Sequence, residues 1–401
     1  MQLPPPNYDE GAVPAYELPP LLRGENGVAV HGAEAWRSRR RPEVLELFRR
    51  HVYGRFDAEV DVSLTRVVSD APACGRLASR TELDLVLRGA AGSSATVRVL
   101  IFVPGVGNGP FPAFVGLNLF GNQTVHPDPA IRLAESWLPE NPDLGLVGHR
   151  ASEASRGMQA GQFPIEMLVS RGFALVTAYA GDVDPDFDDG FQNGVHACLP
   201  ASAKSASDAP GTIAAWAFGL SRIRDALSLV ANIDAARVAA FGHSRLGKAA
   251  LWAAAEDERF ALSISNQSGC GGAALSRRCF GERLLHINQR FPHWFCPAFH
   301  GFNQREDQLP VDQHQLLALL APRPLYVASA AADLWADPLG ERLACEAASP
   351  AYELFGLRGL ASGTVGASTR SHLGYHVRPG RHDITPRDFW HYLEFAEQHL
   401  G

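Results

Sequence analysis

The stretch FGHSRLGKAAL (241–251) places Ser244 two residues after Gly242 and three before Gly247, with Arg245 and Lys248 close by. A serine hydroxyl is weakly nucleophilic until a base takes its proton, and the base needs an acid to orient it. Where such a serine sits on a strand-to-helix turn, the order along the chain is serine, acid, histidine. His382, in GRHDIT, follows the last strand-like run and precedes the last helical one, which is where the base belongs. His376 lies within that strand run, and His372, His391 and His399 look peripheral. Two carboxylates compete as the acid. Asp333 ends PRPLYVASAAAD and is favoured; Asp337, in LWADP, alternatively starts the next helix or binds Arg342. The serine has a competing role too. The spacing is G-x-S-x-x-G rather than G-x-S-x-G, and a serine before a helix is also a natural N-cap.

These residues need elements to position them. ARVAAFGHS (236–244) reads as a strand ending at the serine, and RLGKAALWAAAEDE (245–258) as the helix after it. Gly242 lets strand and helix approach without a Cβ clash, and Gly247 lets the first helical turn lie on the sheet. Around this unit apolar strands alternate with amphipathic helices. RGFALVTAYAGD (171–182), RFALSISNQSG (259–269), PRPLYVASAAAD (322–333) and HLGYHVRPGRH (372–382) read as strands or strand-plus-loop. GTIAAWAFGLSRIRDALSLV (211–230) and PRDFWHYLEFAEQHL (386–400) read as helices. That rhythm predicts an α/β fold with a mostly parallel sheet covered on both faces. Earlier in the chain, TELDLVL, ATVRVLIFVP and FPAFVGLNLFGN are strand-like, and RPEVLELFRRHVYG (41–54) is helical. Residues 1–40 read as an irregular, proline-rich wrap. Residues 123–160 read as an insertion at a sheet edge, 270–320 as a second excursion, and 356–366 as loop. No repeat or linker divides the chain, so one domain spanning 1–401 is expected.

Composition narrows the function. The chain has 401 residues, is 46% hydrophobic and 20% charged, and carries a net charge of −7, which argues against a broad nucleic-acid surface. No apolar run approaches the roughly 20 residues of a membrane span. The opening MQLPPPNYDEGAVPAYELPPLL lacks the basic and apolar regions of a signal peptide. The six cysteines form no CxxC pair, which gives a zinc ribbon or thioredoxin-type site little support; buried thiols and one or two disulfides are both compatible with their spacing.

Four motifs in order carry a family resemblance: FGHSRLGKAAL, SNQSGCGGAALSRR, LLALLAPRPLYVASAAADLWADPLGE and GYHVRPGRHDIT. Together they resemble the bacterial glucuronoyl esterases of carbohydrate esterase family 15, over about residues 90 to 400. The resemblance implies an α/β-hydrolase three-layer sandwich with long insertions around the active site. It implies hydrolysis of the ester between 4-O-methyl-glucuronic acid of glucuronoxylan and lignin alcohols, without metal or cofactor. The family's G-C/H-S-R-x-G-K motif falls on Gly242 to Lys248, so the resemblance assigns Ser244 as nucleophile and Arg245 to the oxyanion. It implies that Lys248, Glu282 (in CFGERL) and Trp335 (in DLW) hold the sugar; the competing readings are a solvated lysine, a glutamate paired with Arg278 or Arg283, and a core tryptophan. One position departs from the family pattern. Many members carry a glutamate where this chain has Gln267, and an amide cannot be the anion that supports a histidinium. The favoured explanation is that Asp333 takes that role, with Gln267 orienting His382 or another site group by hydrogen bonding; an engineered substitution and lost activity are the alternatives. The family implies a secreted or periplasmic home, and a monomer without nucleic-acid or membrane partners is expected. An acetyl xylan or other small-ester esterase, and an impaired glucuronoxylan-binding homologue, are the rival functions.

Overall fold

The computed structural model describes residues 3–57, 60–89, 92–363 and 367–401; residues 364–366 of the expected 356–366 loop lie outside the described residues. Among the described residues, nine strands form one sheet in the order β1-β2-β3-β5-β4-β6-β7-β8-β9. They are β1 (Val60–Ala73), β2 (Ala78–Gly89), β3 (Ser94–Pro104), β4 (Phe111–Asn118), β5 (Ala174–Tyr179), β6 (Ile233–His243), β7 (Leu262–Asn266), β8 (Leu325–Ala330) and β9 (Leu373–Arg378). β1, β2, β3 and β5 pair antiparallel with their neighbours in turn. From β5 through β4 and β6 to β9 every pairing is parallel.

The sheet is covered on both faces because its central strands are apolar on both. On β4, Ala113, Val115 and Leu117 join one core, with helices Thr212–Leu227, Arg245–Glu256 and part of Pro338–Glu353. Phe114, between them, joins the other, with Ile165–Ser170 and Pro386–Leu400. Alternation of side chains along a strand explains this division. The closing helix spans the predicted Pro386–Leu400 and is capped at Thr385, whose side chain pairs reciprocally with Asp388.

Some expectations are corrected. The first helical run begins at Gly32, inside the supposed irregular wrap, and continues through two π-helical turns to Tyr53. Trp36 and Arg40 are buried and drive this early start; Arg40 donates to the carbonyls of Leu21 and Pro20. Gly54, with φ 86°, ends the run. The 123–160 segment is irregular, as expected, but is not confined to a sheet edge. Its Arg132 binds Glu82 and Asp84 on β2, the second strand, while its Leu144 and Gln159 reach the cavity beside Ser244. All six cysteines are thiols, four of them buried. Among the described residues no helix is long and apolar enough to cross a membrane.

Candidate active site

β6 ends at His243, and Ser244 turns directly into the helix Arg245–Glu256. Ser244 has φ 57° and ψ −127°, a region a serine rarely adopts, costing about 1–3 kcal/mol. The backbone is fixed there by Ser244 N–H donating to Asn266 O (2.8 Å). The turn depends on Gly242, where a Cβ would lie 2.1 Å from the carbonyl oxygen of Leu246. The Ser244 side chain makes no capping bond, so the N-cap role is not the one its hydroxyl fills. Far from the turn, the helix's last carbonyls are satisfied by arginines. Arg41 donates to Ala255 O and Arg323 to Ala254 O, each at 2.7 Å.

His382 and Asp333 meet: Nδ1 of the imidazole lies 2.6 Å from Oδ2 of the carboxylate. Asp333 is buried, whereas the His382 side chain is 43% exposed and can face a ligand. Asp337 is elsewhere. It caps Pro338–Glu353 through Gly340 N–H and pairs with Arg278, so the helix-starting alternative is right and the arginine it binds is Arg278. Gln267 hydrogen-bonds to the backbone beside the imidazole and not to the ring. Its amide donates to Asp383 O (2.7 Å) and accepts from Asp383 N–H (3.1 Å), gripping the residue after His382. Arg378 donates to the same carbonyl (2.6 Å) and to Arg381 O (3.1 Å), and Gln162 binds the Asp383 carboxylate. The histidine loop is thus held from three sides.

Arg245 is equally constrained. Its guanidinium stacks 4.7 Å from the Trp294 ring centroid and 5.0 Å from that of Phe291, and it pairs with Asp186. Asp186 also accepts from Trp294 Nε1 (2.8 Å) and His293 Nε2 (3.1 Å). Burial pushes the Asp186 pKa up, but the His293, Arg245 and Trp294 donors outweigh it and hold the carboxyl below its ordinary value.

The residues expected to grip a sugar converge beside Ser244. Lys248, Glu282 and Trp335 line one cavity of 290 Å³ with Ser244, Arg245, Gln267, Asp333 and His382. Lys248 is buried and donates to Ser268 O; burial lowers its pKa against the opposing charge of Glu282. Burial raises the Glu282 carboxyl, countered by Lys248 and by a hydrogen bond from the Trp335 indole. Glu282 is not taken up by its neighbouring arginines, since Arg283 pairs with Glu306 and Arg278 with Asp337. Trp335 is only partly buried, with His286 packed 5.7 Å away.

Sequence reasoning missed Asp186, His243, Phe291, His293 and Trp294. His243 packs on His382 with ring centroids 4.4 Å apart, its Nδ1 2.6 Å from Asn266 Oδ1. Burial, then the charge of His382, lowers its pKa to about 3, so it stays neutral under the second ring. The motif GHSRLGK contained it, but only the fold reveals the stacking.

A strand, a tight serine turn, a helix and a carboxylate-bound histidine after the last strand define an α/β-hydrolase. The model for fungal glucuronyl esterases matches residues 168–356. Carbohydrate esterase MZ0003, from an unknown prokaryotic organism, is 44% identical over 400 residues, covering 98% of this chain and 92% of the relative. The structure of a promiscuous CE15 esterase from a marine bacterial metagenome superposes with a TM-score of 0.92 at 44% identity, over 99% of this chain and all of that one. The glucuronoyl esterase from Solibacter usitatus gives 0.89 at 39% identity, over 98% of this chain and all of that one. The chain belongs to carbohydrate esterase family 15, the glucuronoyl esterases, and is a carboxylic ester hydrolase.

Proposed function

We propose that this enzyme hydrolyses the ester joining 4-O-methyl-glucuronic acid of glucuronoxylan to lignin alcohols, through a Ser244 acyl-enzyme. The observation that carries the reading is the His382–Asp333 contact of 2.6 Å beside a cavity that pairs Ser244 with Lys248, Glu282 and Trp335. With Nδ1 bound to Asp333, His382 keeps Nε2 for the Ser244 hydroxyl. It takes the proton as Oγ attacks the uronate carbonyl carbon and returns it to the departing alcohol oxygen. Water, deprotonated by the same nitrogen, then attacks the acyl carbon, and Ser244 leaves with the proton to free the uronic acid. The Arg245 side chain and the backbone N–H groups of Arg245 and Leu246, which open the helix, meet the oxyanion; Gly247 N–H is already bonded to Ser244 O. Asp333 holds the ring and stabilises its positive charge. Lys248 and Glu282 bind sugar hydroxyls, while Trp335 offers the ring a flat apolar face.

The test compares benzyl D-glucuronate with 4-nitrophenyl acetate, using Ser244→Ala as control. Higher kcat/KM on the glucuronate, abolished in the variant, is expected. Preference for the acetate would overturn the substrate reading, and parent-like turnover by Ser244→Ala would overturn the nucleophile. Binding of glucuronoxylan oligosaccharides without turnover by the parent would overturn the enzymatic role.

A further inference from the structure

A second cluster of chemistry-bearing side chains lies outside the site built on Ser244. Cys74 sits in the turn between β1 and β2, His126 near the start of the 123–160 segment, and Glu166 on the helix Ile165–Ser170. Their sequence separations form no metal motif, and only the fold gathers them. Cys74 Sγ lies 3.7 Å from His126 Nε2, and that nitrogen lies 3.6 Å from Glu166 Oε1. The three candidate ligand atoms all fall within 4.8 Å of one another. None of the three residues lines the two cavities that Ser244 borders.

The spacing suits a small tetrahedral ion. Zinc bonds of about 2.3 Å to sulfur and about 2.0 Å to nitrogen and oxygen put sulfur and nitrogen about 3.5 Å apart, and nitrogen and oxygen about 3.3 Å. The observed separations exceed these by only a few tenths of an ångström. Glu166 can close the gap, because its side chain is 56% exposed. The His126 ring is held more firmly, 15% exposed and packed on Phe102 with ring centroids 5.8 Å apart. Thiolate, imidazole and carboxylate together suit a borderline-soft divalent ion, whereas calcium and magnesium take oxygen donors.

We propose that Cys74, His126 and Glu166 form a structural zinc site, with water as the fourth ligand. Asp128 N–H donates to His126 Nδ1 (3.1 Å), so Nε2 carries the ring proton before the ion arrives. On binding, that proton passes to Nδ1 and Asp128 N–H loses this acceptor. The thiol proton goes to solvent, and the ion bonds to Sγ, Nε2 and the carboxylate. The site ties together the β1–β2 turn, the helix Ile165–Ser170 and the segment whose Leu144 and Gln159 reach the cavity beside Ser244. It anchors the root of that segment and takes no part in the ester chemistry.

The test is a Co2+ titration of the full chain, first stripped with EDTA and dialysed. Co2+ accepts zinc's ligands and shows thiolate bonding as a near-ultraviolet charge-transfer band. The band is expected to saturate at one equivalent and to vanish when Zn2+ is added. Cys74→Ala is expected to abolish it. Glu166→Gln, at an exposed side chain, is expected to weaken Co2+ binding about tenfold or more with the fold retained. In thermal unfolding, excess Zn2+ is expected to raise the parent's midpoint by a few degrees and to leave Cys74→Ala unmoved. No band in the parent would overturn the proposal, as would the same band in Cys74→Ala, which would put the metal on another thiol. Equal Co2+ affinity in the parent and Glu166→Gln would also overturn it. Loss of ester turnover in a folded Cys74→Ala protein would place the ion in the reaction and overturn the structural role.

Discussion

At the scale of single residues, Asp186 is as instructive as the serine. Its side chain is buried and accepts from Arg245, His293 and Trp294, so it aims the guanidinium as Asp333 aims the imidazole. Asp186→Asn should lower kcat on a glucuronate ester by roughly tenfold to a hundredfold with little change in KM, because loss of aim at the oxyanion is felt in the transition state. Steady-state kinetics decide it; a purely structural role would instead lower the active fraction and leave kcat per titrated site unchanged. Gln267 invites the opposite experiment. Restoring the family's glutamate would set a carboxylate oxygen against Asp383 O, now 2.7 Å from the amide nitrogen. Gln267→Glu should therefore destabilise the histidine loop by about 1–3 kcal/mol and reduce kcat, measured by urea unfolding and ester turnover. The strand-to-helix turn at Ser244 and the meeting of His382 with Asp333 were legible in the sequence because each residue follows a recognisable strand in a fixed order. Asp186 was not, because its partners Arg245 and Trp294 lie 59 and 108 residues away and only folding brings them together.

At the scale of elements, the N-terminal arm is tied to the segment that carries Glu282 into the cavity beside Ser244. Asn7 O accepts from Gly281 N–H and Pro4 O lies 2.8 Å from His286 Nε2, while Glu10 binds Arg278. These contacts bracket Glu282. Tyr8, 47% exposed, packs edge-on against Phe280, and its phenol pKa is raised by burial and then by the charges of Asp333 and Glu282. Removing residues 1–12 should raise KM for glucuronate esters about tenfold, with kcat less affected, because the arm contacts the 278–286 segment and not Ser244, His382 or Asp333. An unchanged KM in the truncated protein would show that the 278–286 segment holds itself. Little of this could be read from the sequence. A proline-rich segment has no periodicity, and its backbone carbonyls become acceptors only when 278–286 is folded beneath them. The closing helix, in contrast, was legible residue by residue, since Pro386 at its start and the Thr385–Asp388 cap are local signals.

At the scale of the whole molecule, the parallel half of the sheet followed from the strand–helix rhythm. The antiparallel run β1-β2-β3-β5 did not, because pairing direction depends on connections the apolar pattern leaves open. Global stability should carry the mark of Glu341. This buried carboxyl lies 2.6 Å from Ser329 Oγ and accepts from Gly269 N–H (3.0 Å), bridging β8 and the loop after Gln267. Burial raises its pKa from 4.5 to about 8. Between those values the folded protein holds a proton the unfolded chain has lost. Its stabilising effect is therefore complete below the lower value and disappears as pH rises through the upper one. Urea midpoints measured across that range should fall with pH in the parent, and Glu341→Gln, which keeps the shape and cannot ionise, should flatten this component. The central claim is that His382 acts with Asp333, and Asp333→Asn assayed on benzyl D-glucuronate tests it most directly. The account predicts a fall in kcat of about 10⁴ with the fold intact, because an amide can neither hold the required tautomer nor balance the imidazolium charge. Turnover within a few-fold of the parent would contradict it.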